Sequence, residues 1–286
     1  MKFLSYAKWI MSGEHTVVRG GKALAFPLRK YESSIEFTPS DELEIHDTNS
    51  EDKFNEIFLS LLRSAAEFAK FDFQKITGKF LVQSNIKMKS GLGSSAAICT
   101  NIAKIFKHLG LWEDVFSLAT HLEDKFHYRS SGLDIAVAMS DKAVVFKNNR
   151  VSHVLEPSFW PYMMLTYSGE KSATSKCAEI VKNIIATDSK LADELNAKMN
   201  QASDLCESSL KEGDFSKLRD GIRLADDAFR GWGLYNDALT AHVAGLLNDG
   251  AVAAKPVGSG LGGFVLSLWE EKPQGYDNIS LTLEKP

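Results

Sequence analysis

The sequence predicts an α+β fold in two domains. Three observations carry that reading. Strand-forming and helix-forming segments are mixed along the chain without the regular βαβ alternation of a doubly wound sheet. One helical stretch, from about residue 171 to 247, is followed by short strands alone. Ahead of that stretch the chain turns polar over 148–157 and meets Pro157 and Pro161, a boundary that leaves 1–155 and 156–286 as domains. The 286 residues suffice for two medium domains with a sizeable core.

Taken in order, residues 1–8 read as a short strand, and Gly20 and Gly21 as a turn. Residues 22–27 and 31–37 alternate and are rich in strand formers. The polar run 39–53 reads as a loop or a weak hairpin. Phe54, Ile57, Phe58, Leu61, Leu62, Ala65 and Phe68 trace an amphipathic helix. Residues 80–86 form a strand. Ile98, Ile102, Ile105 and Leu109 then fall on one helical face, closed by Gly110 in the position a C-cap prefers. Val115, Leu118, Ala119, Leu122 and Phe126 mark another helix. The small, polar segment 127–134 reads as a loop, leading through 135–138 to a strand at 143–146. In the second domain 162–167 is a strand, and the helical stretch breaks near Asp188, Gly213 and Gly231. Strands follow at 251–257, 264–269 and 279–283. There is no internal repeat.

Composition narrows the class of function. With 33 basic and 37 acidic side chains, the net charge of −4 points to no nucleic-acid partner and no acidic membrane surface. Cys99, Cys177 and Cys206 lie far apart with no CxxC pair, which fits buried thiols in a reducing cytoplasm better than disulfides or zinc. The N-terminus enters structure at once, without the basic and apolar regions of a signal peptide. No apolar run approaches the roughly 20 residues that span a bilayer.

Two glycine-rich loops carry the chemistry. The first, Gly91-Leu92-Gly93-Ser94-Ser95-Ala96-Ala97, joins the strand at 80–86 to a helix N-terminus. There the first backbone N–H groups lack intrahelical acceptors and the positive end of the helix dipole faces out. Glycines admit a ligand close to the backbone and the serines add hydroxyls, which is the physics of a polyphosphate cradle. The second, Lys255-Pro256-Val257-Gly258-Ser259-Gly260-Leu261-Gly262-Gly263, formally spells GxGxxG, but it runs into the strand at 264–269 near the end of the chain. A dinucleotide fingerprint needs a helix after the glycines and an acidic residue about 20 positions on, so that reading fails. Neither the P-loop pattern nor the protein-kinase motif set occurs.

With two glycine loops and neither common nucleotide fold, the chain resembles the GHMP kinases, and within them is most similar to the mevalonate kinases. Lys8 to Val18, with Gly13-Glu14-His15-Thr16-Val17-Val18, resembles the family's N-terminal motif. Gly91–Ala97 is nearly the whole family phosphate loop. Ser131-Gly132-Leu133-Asp134 resembles the segment that holds the catalytic aspartate, and 255–263 the C-terminal glycine motif. The resemblance spans most of the chain. It implies an N-terminal domain like domain 2 of ribosomal protein S5, a ferredoxin-like C-terminal domain, and an active site in the cleft between them.

The resemblance also implies roles. ATP with Mg²⁺ would lie on Lys89, Ser90, Gly91, Leu92, Gly93, Ser94, Ser95 and Ala96, with Ser95 and Glu123 as the magnesium ligands. One hydroxyl and one carboxylate suit a cation that keeps waters and phosphate oxygens. Asp134 would take the proton from the acceptor hydroxyl, and Lys8 would hold Asp134 ionised and offset charge on the transferred phosphoryl group. His15, Glu14, Thr174 and Gly260 would serve the acceptor, a small hydroxy acid, mevalonate first, phosphorylated at its primary hydroxyl for isoprenoid precursor synthesis. A cytoplasmic enzyme and a homodimer are the family expectations. Two departures stand out. Lys87-Met88-Lys89-Ser90 replaces the proline and glycine often found ahead of the phosphate loop. His127-Tyr128-Arg129-Ser130 replaces the usual residues ahead of Ser131 and Gly132, and Arg129 would suit an acceptor with a second anionic group. Phosphomevalonate or another small metabolite is therefore the alternative acceptor. A non-catalytic, nucleotide-binding regulator is the third reading, against which Lys8, Glu123 and Asp134 argue.

Overall fold

Two long strands open the chain and organise the rest: β1 (Lys2–Ser12) and β2 (Ala23–Thr38), which pair with each other. The computed structural model describes residues 1–48, 54–86, 91–126, 130–276, 280–283 and 285–286. Their contacts divide the chain into two units. The first is Met1–Lys8, Pro27–Met88 and Leu92–Asp141; the second is Trp9–Phe26, Lys89–Gly91 and Lys142–Pro286. These units interleave along the chain, because β1 and β2 each pass from one to the other.

In the first unit, β2 pairs antiparallel with β4 (Gly78–Ser84) through Ser33–Thr38, and β4 pairs parallel with β3 (Leu43–Asp47). Three helices cover this sheet: α1 (Phe54–Phe68), α2 (Ser94–His108) and α3 (Val115–Glu123). Their apolar stripes meet the strands in one core that includes Ile35, Phe58, Phe80, Ile102, Phe106 and Leu122. A short helix, α4 (Leu133–Ser140), completes the unit. Gly110 follows α2 at φ 69°; Leu111 N–H bonds Phe106 O and Gly110 N–H bonds Lys107 O, the paired bonds of a Schellman end.

In the second unit, the start of β2 pairs antiparallel with β5 (Val144–Lys147), which forms a hairpin with β6 (Arg150–Val154). A separate antiparallel sheet runs in the order β10 (Ser280–Thr282), β7 (Tyr162–Tyr167), β9 (Phe264–Trp269), β8 (Ala253–Pro256). The long helical stretch is four helices: α5 (Thr174–Thr187), α6 (Ser189–Glu212), α7 (Phe215–Gly231) and α8 (Asp237–Asn248). The breaks fall where the sequence put them. The side chains of Asp188, Asp214 and Asn236 cap the helices that follow, and Gly213 ends α6 in the left-handed conformation. Met199, Ala225, Phe229 and Trp232 pack between α5, α6 and α7, while α8 packs Leu239, Val243 and Leu246 on the sheet with Val265 and Trp269.

Four expectations need correction. The segment 39–53 contains a strand: Leu43 and Ile45 reach the core of the first unit while β4 supplies a parallel partner. The two short strands expected at 22–27 and 31–37 are one, because Pro27, which has no N–H to give, lies between the stretches that pair with β5 and with β4. The polar boundary at 148–157 contains β6, joined to β5 through Asn148 (φ 52°) and Asn149 (φ 57°), the two left-handed positions of a tight hairpin turn. Leu133 and Asp134, expected in a loop, form the first turn of α4, with Gly132 as N-cap at φ 78°. The cysteines are all free and buried. Among the described residues no helix is long and apolar enough to cross a membrane.

Candidate active site

In the first unit the phosphate loop from Leu92 onward, Lys8 and Asp134 come together. Gly91 and Gly93 take φ 82° and 80°, and Gly93 is the N-cap of α2 with no side chain to cap it. The helix therefore begins with its dipole and first N–H groups uncapped by a side chain, as an anion site requires. Lys8 N–H donates to Leu92 O at 2.9 Å, which docks the strand on the loop. A Cβ on Gly93 would stand 2.9 Å from Lys8 Cγ, so the absence of a side chain there lets the lysine pass. Lys8 is 4% exposed, and its Nζ lies 3.0 Å from Asp134 Oδ2.

The surroundings fix both partners. Ser5 Oγ donates to Asn101 Oδ1 and Lys104 Nζ to Leu4 O, tying β1 to α2. Ser130 N–H donates to Asp124 Oδ1, Gly132 N–H to Ser130 Oγ and Leu133 N–H to Ser131 Oγ, which shapes the entry to α4. Asp134 then sits in the first helical turn, where the dipole favours its negative charge.

Ser95, in the first turn of α2, donates from Oγ to Glu123 Oε1 at 2.8 Å. Glu123 is the last residue of α3 and is 1% exposed. Cys99, one turn beyond Ser95, hydrogen-bonds the same carboxylate; burial, then this neighbour, pushes the thiol well above its usual range. One hydroxyl and one carboxylate on adjoining helices are hard oxygen donors that fit Mg²⁺, which leaves its remaining positions to water and phosphate. Among the described residues no group of three or more His, Cys, Asp or Glu side chains forms a denser metal site.

In the second unit the first and last motifs come together. Gly13 (φ 105°) has no room for a Cβ, which would lie 2.3 Å from Ala23 Cα and Lys22 O. His15 follows at φ 62°. Its Nε2 lies 2.9 Å from Ser259 O, and because a carbonyl only accepts, Nε2 carries the proton. Burial, above all, lowers the imidazole pKa to about 4, with Arg19 and Lys255 adding to it against the Ser259 bond. The ring is thus neutral at pH 7, and its Nδ1 is an acceptor. Ser259 Oγ donates to Thr174 Oγ1 at 3.1 Å and lies 2.6 Å from Ser172 Oγ, which donates to Gly260 O. Gly260 (φ 94°) is packed on Leu234 with no space for a side chain. Glu14 is turned inward, 2% exposed, onto Lys255 at 2.7 Å.

Lys89, Ser90 and Arg129 lie outside the described residues. The sequence reading missed Ser130 and Asp124 as shapers of the aspartate loop, Cys99 beside Glu123, and Ser172, Ser259 and Phe229 around His15. Serines flanking glycines were the available signal for Ser172 and Ser259. Nothing local marks Phe229.

Residues 58–142 match the family of GHMP kinases, N terminal domain. A mevalonate kinase of Pyrococcus abyssi is 28% identical over 298 residues, covering 92% of this chain and 86% of its own. Among solved structures, L. major mevalonate kinase in complex with R-mevalonate superposes with a TM-score of 0.78 at 20% identity, over 95% of this chain and 87% of the other. Streptococcus pneumoniae phosphomevalonate kinase, with phosphomevalonate and AMPPNP, gives 0.76 at 15%, over 95% and 92%. At such identities the structural likenesses establish the fold. The matched family segment also contains the glycine loop, Glu123 and Asp134, so over this segment the chain is similar to the GHMP kinases.

Proposed function

We propose that this chain transfers the terminal phosphoryl group of ATP to the primary hydroxyl of mevalonate. One observation carries the reaction class: the buried Lys8, docked on the phosphate loop, with its ammonium 3.0 Å from Asp134. A lysine at this distance attracts the carboxylate and holds it facing the phosphate loop. Asp134 takes the proton of the acceptor hydroxyl as its oxygen attacks the γ-phosphorus, and the bond to the β-phosphate oxygen breaks to release ADP. Lys8 offsets the charge on the moving phosphoryl group; positioning and charge stabilisation supply most of such catalysis. The amides of residues 91–96 hold the phosphates, and Lys89 and Ser90 extend that set. Ser95 and Glu123 would hold Mg²⁺, which when bound neutralises phosphate charge.

In this reading 1–155 is the ATP-binding domain, while 156–286, with His15 from the N-terminal motif, serves the acceptor. His15 Nδ1, an acceptor, suits a substrate hydroxyl; Thr174 and Gly260 flank it, with Glu14 behind. The names of the archaeal relatives support mevalonate as the acceptor. A homodimer is proposed on the family resemblance, and light scattering tests it.

A coupled ADP-release assay with mevalonate, phosphomevalonate and galactose tests the function. Turnover is expected with mevalonate. Turnover on phosphomevalonate or galactose alone would replace the acceptor and leave the reaction class. No ATP-dependent turnover on any of them, with nucleotide still bound, would turn the reading toward a nucleotide-binding regulator.

A further inference from the structure

Lys255 and Glu14 form an ion pair sealed inside the second unit. Lys255 is fully buried, Glu14 is 2% exposed, and Nζ lies 2.7 Å from Oε1. The other carboxylate oxygen, Oε2, is also buried and takes no hydrogen bond from a described residue. Such a pair is a poor device for stability. Desolvating both charges is costly, and well-packed apolar replacements are often as stable or more so. Fold stability therefore does not account for charges at this place.

Position does. Glu14 precedes His15, and Lys255 is the penultimate residue of β8, just ahead of the loop that carries Ser259 and Gly260. The lysine ammonium also stands 5.2 Å from the centre of the Phe229 ring. Phe229 meets the His15 ring edge-on at 5.8 Å and would be 3.4 Å from a Cβ on Gly260. The circuit closes through the bond from His15 Nε2 to Ser259 O. A directional charged contact fixes the register of these two loops in a way that sliding apolar surfaces do not. His15 needs such a hold, because a non-glycine residue at φ 62° is in a conformation that the surroundings must impose.

We infer that Lys255, acting through Glu14 and Phe229, is a positioning residue that sets the His15–Ser259 edge for the acceptor. Glu14 then serves the acceptor at second hand, through the lysine. The inference rests on the acceptor assignment made above.

The test is the apolar replacement E14L/K255M beside the single variants E14Q and K255M. The singles leave one buried charge without its partner and lower the melting temperature; the double variant removes both charges and retains the fold. Expected for the double variant is an acceptor KM raised about tenfold or more, with the ATP KM within about twofold of wild type. A purely structural pair would change the yield of folded enzyme and leave both KM values alone, so an unchanged acceptor KM in the folded double variant overturns the inference. A second readout needs no turnover. The His15 ring resonances, assigned by their loss in H15Q, are expected to shift in the substrate-free double variant, and unmoved resonances overturn the inference. Wild-type protein without activity on mevalonate, but with shifted resonances, would refute the acceptor reading and retain the positioning role of Lys255.

Discussion

Gly93 meets two demands at once, and each excludes a side chain. Its φ of 80° is a conformation that costs a non-glycine residue roughly 1–2 kcal/mol. Its Cβ position lies against the Lys8 side chain. Gly93→Ala is therefore expected to displace the lysine and lower kcat by about tenfold or more, since 1.4 kcal/mol of lost positioning is already a factor of ten. Steady-state kinetics beside a thermal melt checks it; wild-type kcat in the folded variant would refute the contact. In the proposed reaction Asp134 takes the proton of the acceptor hydroxyl. Asp134→Asn retains the shape and removes the base, so kcat is expected to fall on the order of 10²–10⁴. A loss below about tenfold, well under the general-base range, would remove Asp134 from that role.

At the scale of elements, the pairing of α2 with α3 holds the metal reading. Ser95 reaches Glu123 because the first turn of one helix lies beside the last residue of the other. Ser95→Ala removes a charge-assisted bond of about 1.5–3 kcal/mol and a proposed ligand, so half-maximal rate is expected at roughly tenfold more Mg²⁺. Unchanged metal dependence would count against the ligand assignment. The same scale shows what the sequence made legible. The strand–glycine–helix junction at 91–97 was readable because its chemistry is local: glycines for left-handed turns, then an apolar stripe of period 3.6. The breaks at Asp188 and Gly213 were readable for the same reason. β3 was hidden because its partner, β4, is over 30 residues away in sequence and supplies the order that the short run lacks. β6 was hidden by its own polarity, since all its residues are exposed and no alternation marks it. Lys8 and Asp134 were brought together by the family resemblance, not by spacing. Lys255 and Glu14 stand 241 residues apart, and nothing in either motif names the other.

For the whole molecule, acid is the condition that separates the folded from the unfolded chain most selectively. His15 has a pKa of about 4 when folded, because burial disfavours the imidazolium, against 6.5 when unfolded. Between those values the unfolded chain binds a proton that the folded one refuses, so stability rises with pH across the window and falls on acidification. Glu207 acts in the same direction lower down. Burial raises its pKa, but hydrogen bonds from Lys211 and Lys22 outweigh it and bring the carboxyl to about 2, against 4.5. Its contribution is complete above 4.5 and is lost as pH falls through 2. The two windows meet near pH 4, so the chain is expected to lose stability continuously from about pH 6.5 downward. At pH 5 the His15 share is roughly 2 kcal/mol, from 1.36 kcal/mol per unit of pKa difference. His15→Gln keeps a polar side chain and cannot titrate. Urea unfolding of the two proteins at pH 7.5, 6, 5 and 4 reads the difference: the gap between them should narrow or invert in favour of the variant as pH falls from 6.5 to 4, and then stay constant while Glu207 titrates in both. A gap that does not change between pH 7.5 and 4 would mean that His15 is as easily protonated in the folded chain as in the unfolded one, and the neutral, hydroxyl-accepting imidazole would go with it.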